Sequence, residues 1–273
     1  MTTTGIKSAG LHTIDPVWDA IRAGARAVVD AEPALGGFVY ANVLNHDSFE
    51  MALAFRLAER LDHPDVSADL IRQAFADALI FRPEIGAEAR ADLAATLERD
   101  PALHRAVDCF LHFKGYHAIQ THRLTHALWS AGRRDMAYFL QSRASAVFQV
   151  DIHPAARIGR GIMLDHATGF VVGETATIGD NVSILQGVTL GGTGKAEEDR
   201  HPKIGNGVLI GAHATVLGNI RIGECARVGA GSVVVKEVPP RVTVAGVPAK
   251  VIGQAAPQPA SAMDQLVPVD PTG

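Results

Sequence analysis

The sequence predicts an α+β chain, with an all-helical domain over residues 15–148 followed by a parallel β-helix with an extruded loop over residues 149–253. Three observations carry this. First, Ile204, Ile210, Val216, Ile222, Val228 and Val234 recur at every sixth position, and Gly follows directly at 205, 211, 223 and 229. No α-helix repeats every six residues, but a chain that turns a corner every six residues does, with the β-branched residue inward and the glycine helping the turn. Second, the same beat runs earlier through Ile152, Ile158, Leu164 and Phe170 and then, after a two-residue slip, through Val172, Ile178, Ile184 and Leu190. Third, up to about residue 148 Leu, Ala and Ile recur at intervals of three and four, the spacing of helices with one buried stripe. Aromatic residues are only 5% of the chain, which suits a narrow coil interior filled by Val, Ile and Ala.

Taken in order, residues 1–14 have no periodicity and read as a flexible N-terminus. Asp15-Pro16 is a capping side chain followed by proline at the first turn, and opens a helix. Pro33 and Gly36-Gly37 interrupt it. Asp47 with Glu50 reads as a capping box for the next helix. Ser67 and Pro83 open two more, and Asp100-Pro101 opens a long helical segment through residue 132. Arg133 to about Phe148 is the last helix. Near Val150 Gly and Val rise, Leu falls, and the six-residue beat begins. It breaks between Leu190 and Ile204, where the chain reads GGTGKAEEDRHPK; a regular scaffold that breaks its period does so where loops carry chemistry. PPRVTVAGVPAKVIG then closes the open end of the coil, which would otherwise invite aggregation. Residues 254–273 are rich in Pro and Ala and read as a disordered tail.

The composition narrows the function. A net charge of −4 leaves no broad basic surface for nucleic acid. There is no run long enough for a membrane helix, and the N-terminus lacks a signal-peptide pattern. The two cysteines, Cys109 and Cys225, sit in different halves and form neither a metal pair nor a disulfide framework, which fits a cytoplasmic protein.

Each coil should use three six-residue units, so residues about 18 apart should stack. That sets Asp151 near residue 169 and within reach of His166 at one corner. Three clusters, Asp151-Ile152-His153-Pro154, Asp165-His166-Ala167-Thr168-Gly169 and Asp199-Arg200-His201-Pro202, each put a carboxylate within two residues of a histidine. A carboxylate fixes the tautomer of an imidazole and stabilises its protonated form, which makes a good general base. Polar residues also gather at corners for solvation alone. GGTGK lacks the spacing of a phosphate loop, since Thr189 and Ala196 stand where Gly and Ser/Thr are needed; glycines there let backbone approach a ligand. His122 and His126 share a helix face without a third ligand, which reads as the polar face of a bundle. His153, His166, His201 and His213 raise a zinc carbonic anhydrase on the same scaffold, but none has the spacing typical of zinc, and no metal is expected.

DIHPAARIGRGIMLDHATGFVVGE, SILQGVTLGGTGKAEEDRHPKIGNGVLIGAHATVLGNI and AGVPAK together resemble the bacterial serine O-acetyltransferase family, as do RDPALHRAV and KGYHAIQTHRLTHALW in the helical half. The resemblance spans about residues 15–253, and DHATG, GGTGK and DRHPKIG in this order are its specific motifs. It implies a left-handed β-helix and transfer of an acetyl group from acetyl-CoA to the hydroxyl of L-serine, on the way to cysteine. It implies that His166 is the base and Asp151 orients it. Arg200 suits the substrate carboxylate, Asp165 and Asp100 its ammonium, and His201 lies close to the reacting group. On this reading the backbone N–H of Gly192 is an oxyanion donor, Ala212 and Ala230 leave room for the pantetheine arm, and Lys250 meets CoA phosphate. The resemblance also implies trimers with sites between neighbouring coils, trimers paired through the helical domain into a hexamer, and inhibition by L-cysteine. Many members end in an isoleucine that docks into O-acetylserine sulfhydrylase; this chain ends Asp270-Pro271-Thr272-Gly273, so that complex is not expected. Two alternatives remain open at this point: another hydroxyl acceptor such as homoserine or a sugar, and a non-catalytic scaffold.

Overall fold

The computed structural model describes residues 15–194 and 197–266. The expectations for residues 1–14, for Lys195 of GGTGK and for Asp270–Gly273 fall outside these. Helix α1 (Pro16–Ala31) starts as its cap predicts, with Asp15 Oδ1 accepting from Trp18 N at 3.1 Å. A 3₁₀ turn, α2 (Gly36–Val39) and a π turn follow. Helix α3 (Phe49–Leu61) is capped by Ser48, which accepts from Met51 N at 3.3 Å. The expected box at Asp47 is not the cap, because Glu50 turns away to pair with Arg90 at 2.6 Å. Helices α4 (Ala68–Phe81) and α5 (Ile85–Arg99) complete the first layer. The long segment after Asp100 is two helices, α6 (Ala106–His112) and α7 (Lys114–Ser130), broken at Phe113. Helix α8 (Arg134–Phe148) ends on Gln149, whose φ of 59° is left-handed, and the first strand starts at Val150.

From there the chain winds a three-faced parallel coil of about five turns. The first face stacks β1 (Val150–Ile152), β4 (Phe170–Val172), β7 (Thr189–Gly191), β10 (Thr215–Leu217) and β13 (Val233–Val234). The second stacks β2 (Arg157–Ile158), β5 (Thr177–Ile178), β8 (Lys203–Ile204) and β11 (Arg221–Ile222). The third stacks β3 (Met163–Leu164), β6 (Ser183–Ile184), β9 (Leu209–Ile210) and β12 (Arg227–Val228), and is closed by β14 (Val242–Gly246) and the antiparallel β15 (Ala249–Gln254). The six residues from Ile204 to Val234 that set the period are all buried, as the inward position requires.

The register locates each departure from the period. On the second face Arg157 pairs with Thr177, Thr177 with Lys203 and Lys203 with Arg221, giving coils of 20, 26 and 18 residues. On the first face Asp151 pairs with Val171 but Val171 with Thr189, an interval of 18. The two extra residues therefore lie between Met163 and Val171, at the corner Asp165–Gly169. Asp151 stacks opposite Val171 rather than near residue 169 for this reason. Phe170 and Val172 both point inward on β4, so the slip sits before them. The eight extra residues of the 26-residue coil lie between Thr189 and Lys203.

The tail departs from expectation. Residues 255–266 pack back against the coil through α9 (Pro259–Ala262), with Ala260 buried. Ser183 Oγ donates to Ala260 O at 2.9 Å and Arg227 Nη1 donates to Asp264 O at 2.9 Å. Composition argued for disorder, but buried polar groups of the coil supply partners that composition does not reveal.

Candidate active site

Two groups of side chains gather at the two edges of the first face. One lies at the corner between the third and first faces, where the two extra residues sit. His166 and Ala167 there have φ of 56° and 63°. Consecutive left-handed non-glycine residues cost roughly 1–2 kcal/mol each, and such strain collects at functional sites. The strain carries the His166 ring out of the prism, where its side chain is 72% exposed. It faces a cleft of about 910 Å³ between this corner, the end of α5, the start of α7 and the tail. Asp100, Asp165, His166 and Lys114 all line it. His166 Nε2 is 3.6 Å from Asp165 Oδ2, an ion-pair distance rather than a hydrogen bond. Burial raises the Asp165 pKa, His166 opposes this and the Asp100 charge adds to it. Asp100 Oδ1 accepts from Ala102 N at 2.8 Å. Arg99 beside it donates to Gly161 O at 3.0 Å and to Ser183 Oγ at 3.1 Å, which locks the end of α5 onto the coil.

The second group lies at the corner between the first and second faces, on the extruded loop. His201 is buried at 7% exposure. Its Nδ1 accepts from Thr175 N at 3.2 Å, so the proton of the neutral ring is on Nε2. Burial, then the charges of Arg200 and Lys203, lowers its pKa and keeps it neutral at neutral pH. The ring fits only because position 173 is glycine; a Cβ there would lie 2.0 Å from His201 Nε2. Gly192 lies beside the same ring. Arg200 Nη2 donates to Glu174 Oε2 at 2.8 Å, and this contact lowers the Glu174 pKa.

The predicted residues thus fall into two sets. Asp100, Asp165 and His166 come together; Gly192, Arg200 and His201 come together elsewhere. Asp151 points outward from the middle of β1, where its Oδ1 accepts from Gln141 Nε2 at 2.7 Å in a separate cleft of about 560 Å³. Among the described residues it makes no hydrogen bond or ion pair with His166, so one chain does not assemble that pair. Ala212 and Ala230 stack one coil apart at the first corner, with Gly231 N donating to Ala212 O at 2.8 Å. Lys250 is exposed on β15. His122 and His126 dock on the coil through Ala156 O at 3.1 Å and Pro154 O at 2.7 Å, as a polar helix face would. Among the described residues no three His, Cys, Asp or Glu side chains converge to hold a metal.

Sequence reasoning missed Lys114, Gln141, Glu174 and Thr175. Stacking with a 26-residue coil would have put Glu174 and Thr175 under Arg200 and His201. Lys114 and Gln141 reach the site from packed helices and left no periodic signal.

Comparison with known proteins agrees across the chain. Residues 17–121 match the model described as serine acetyltransferase, N-terminal, and residues 201–236 match the bacterial transferase hexapeptide repeat. A serine acetyltransferase of Salmonella typhimurium is 53% identical over 253 residues, covering 92% of this chain and 93% of the relative. The crystal structure of Brucella abortus serine acetyltransferase in complex with coenzyme A is 59% identical, with a TM-score of 0.89 over 91% of this chain and 99% of that one. A serine acetyltransferase in complex with cysteine is 48% identical, with a TM-score of 0.90 over 92% of this chain and 98% of that one. Identity of this extent, over both halves and the site between them, means that the chain belongs to the serine acetyltransferase family of acyltransferases.

Proposed function

We propose that this chain transfers the acetyl group of acetyl-CoA to the hydroxyl of L-serine, giving O-acetyl-L-serine and free CoA. The observation that carries the reading is His166, held out of the prism on a strained corner beside two carboxylates. His166 takes the hydroxyl proton as the serine oxygen attacks the thioester carbonyl carbon. The carbon–sulfur bond then breaks, and the imidazolium returns the proton to the departing thiolate. A positioned base contributes typically ~10²–10⁴ in rate, because a free hydroxyl is scarcely ionised at neutral pH. Asp100 and Asp165 hold the substrate ammonium. Arg200 takes its carboxylate in a two-point contact. The Gly192 N–H and the His201 Nε2–H, one a backbone and one a neutral side-chain donor, face the charge that develops on the carbonyl oxygen. The small side chains of Ala212 and Ala230 suit passage of the pantetheine arm, and Lys250 suits its phosphates.

The two sets of residues stand at different corners of one prism, which supports a site completed between neighbouring copies in a trimer. Asp151, bonded to Gln141 and clear of His166 within its own chain, then orients the His166 of a neighbour. Pairing of trimers through the helical half would make the hexamer. L-cysteine offers the same ammonium and carboxylate as serine, and competes for the site. Docking of the tail into O-acetylserine sulfhydrylase is not part of this reading. The location proposed is the cytoplasm; among the described residues no helix is long and apolar enough to cross a membrane.

CoA release from acetyl-CoA with L-serine tests the reaction, with L-homoserine in parallel. Serine is expected to be the better acceptor, and His166→Ala to lose at least ~10²-fold in kcat. Turnover with homoserine alone would move the assignment to another acceptor, and wild-type turnover in His166→Ala would remove the base.

A further inference from the structure

We propose that Lys114 is a positioning residue, which clamps the His166 corner from the helical domain and sets the charge around the imidazole. The inference rests on His166 being the base. The corner Asp165–Gly169 is tied to the coil at its ends: Asp165 N donates to Ile184 O, Gly169 N to Gln149 O and Gly187 N to Thr168 O, each at 2.8 Å. Its middle is not. His166 and Ala167 make only short-range backbone bonds, Ala167 N to Asp165 O at 2.6 Å, Thr168 N to His166 O at 2.7 Å and Phe170 N to Ala167 O at 3.0 Å. A left-handed pair such as this persists only when its surroundings over-determine it.

The outside support comes from the first turn of α7. Lys114 Nζ donates to Thr168 Oγ1. Gly115 lies so close to the corner that a Cβ there would be 1.9 Å from Leu164 O and 3.4 Å from Ala167 Cβ. The Lys-Gly pair therefore fits one helix start against the strained residues and hangs an ammonium over them.

Charge gives Lys114 a second effect. The groups that face His166 are Asp165 on its own corner, Asp100, Glu98 and Arg99 from the end of α5, and Lys114 from α7; the tail residues that line the cleft carry no charge. Arg99 is engaged with Gly161 O and Ser183 Oγ. Both cations keep their charge against the three carboxylates, and Lys114 is the one bonded to the corner itself, so removing it leaves a more negative field at the imidazole.

Lys114→Met is expected to lower kcat about tenfold, to change KM for serine less than about threefold, and to move the acidic limb of kcat/KM upward by roughly half a pH unit or more. Lys114→Arg is expected to recover most of both. Thr168→Val breaks the same contact from the other side, so Lys114→Met with Thr168→Val should cost no more than Lys114→Met alone. Melting temperatures show whether each variant is folded, and Thr168→Val with the lysine intact serves if Lys114→Met is not. An unchanged kcat and pH limb in Lys114→Met, or additive losses in the double variant, would overturn the clamp. His166→Ala measured alongside separates the two ideas: if it keeps wild-type turnover, the base assignment itself is wrong and takes the clamp with it.

Discussion

His201 shows how one backbone position can decide a side chain's chemistry. Its Nδ1 is occupied by the Thr175 N–H, and its ring lies where any larger residue at 173 would stand. Gly173→Ala forces the ring aside, and overpacking of this kind costs roughly 1–3 kcal/mol. The variant is expected to melt lower yet fold, and to lose more turnover than its stability loss explains; wild-type kcat/KM would show that the ring's place is unimportant. His117 makes a different residue-scale prediction. It is fully buried, its Nε2 bonds to Phe110 O at 2.7 Å and Arg60 Nη1 donates to its Nδ1 at 3.3 Å. Burial pushes its pKa down to about 3 from 6.5. Between those values the unfolded chain binds a proton that the folded chain does not. Its stabilising contribution is therefore present above pH 6.5 and lost as pH falls toward 3, by up to about 1.4 kcal/mol per pH unit. Denaturant titrations of wild type and His117→Gln between pH 7 and 5 should give a shallower slope for the variant; equal slopes would assign the acid sensitivity to other groups.

At the scale of elements, α5 and α7 carry the connection between helices and coil. Asp92 accepts from Arg123 Nε at 2.9 Å and Nη2 at 3.0 Å, from Gln120 Nε2 at 2.9 Å and from Ile162 N at 2.8 Å, while Arg123 also donates to Gly159 O. Both charged groups are almost wholly buried, with side chains 2% and 1% exposed. Asp92→Leu removes the buried, two-point partner and leaves the guanidinium only the carboxylate of Glu88, at 3.0 Å from Nη1, and is expected to cost about 3–5 kcal/mol. A melting-temperature change near zero would mean that Glu88, water or the Gly159 carbonyl compensates. This connection was not legible in the sequence. A helix with one apolar stripe announces its face, but α7 is buried on nearly every side, with Gln120, Thr121, His122 and Arg123 turned into the contact. The coil was legible because one residue in six must point inward, and the rule holds over both halves of the repeat. Its breaks were legible too, and both carry residues that the sequence proposes for the site. What the period could not reveal is which partners reach those breaks from outside, such as Lys114 at Thr168, Gln141 at Asp151 and the tail at Ser183.

At the scale of the whole molecule, the decisive fact is that one chain does not assemble the predicted site. His166 with its carboxylates stands at one edge of the first face, and Arg200 with His201 at the other, separated by the strands of that face. A substrate as small as serine has its ammonium, carboxylate and hydroxyl within a few ångströms, so we propose that the facing edges of two copies grip it together. If three prisms pack around a threefold axis, each interface joins the first edge of one copy to the second edge of the next. Copies carrying His166→Ala should then be rescued by copies carrying Arg200→Ala. After unfolding and refolding as an equal mixture, about one interface in four pairs two intact edges, so the mixture should recover roughly a quarter of wild-type activity although each parent is nearly inactive. Parents refolded separately and mixed afterwards serve as the control. Activity no higher than the parents' sum, from oligomers shown to be mixed, would mean that both edges act within one chain and that the chain closes around its substrate by a movement of the extruded loop.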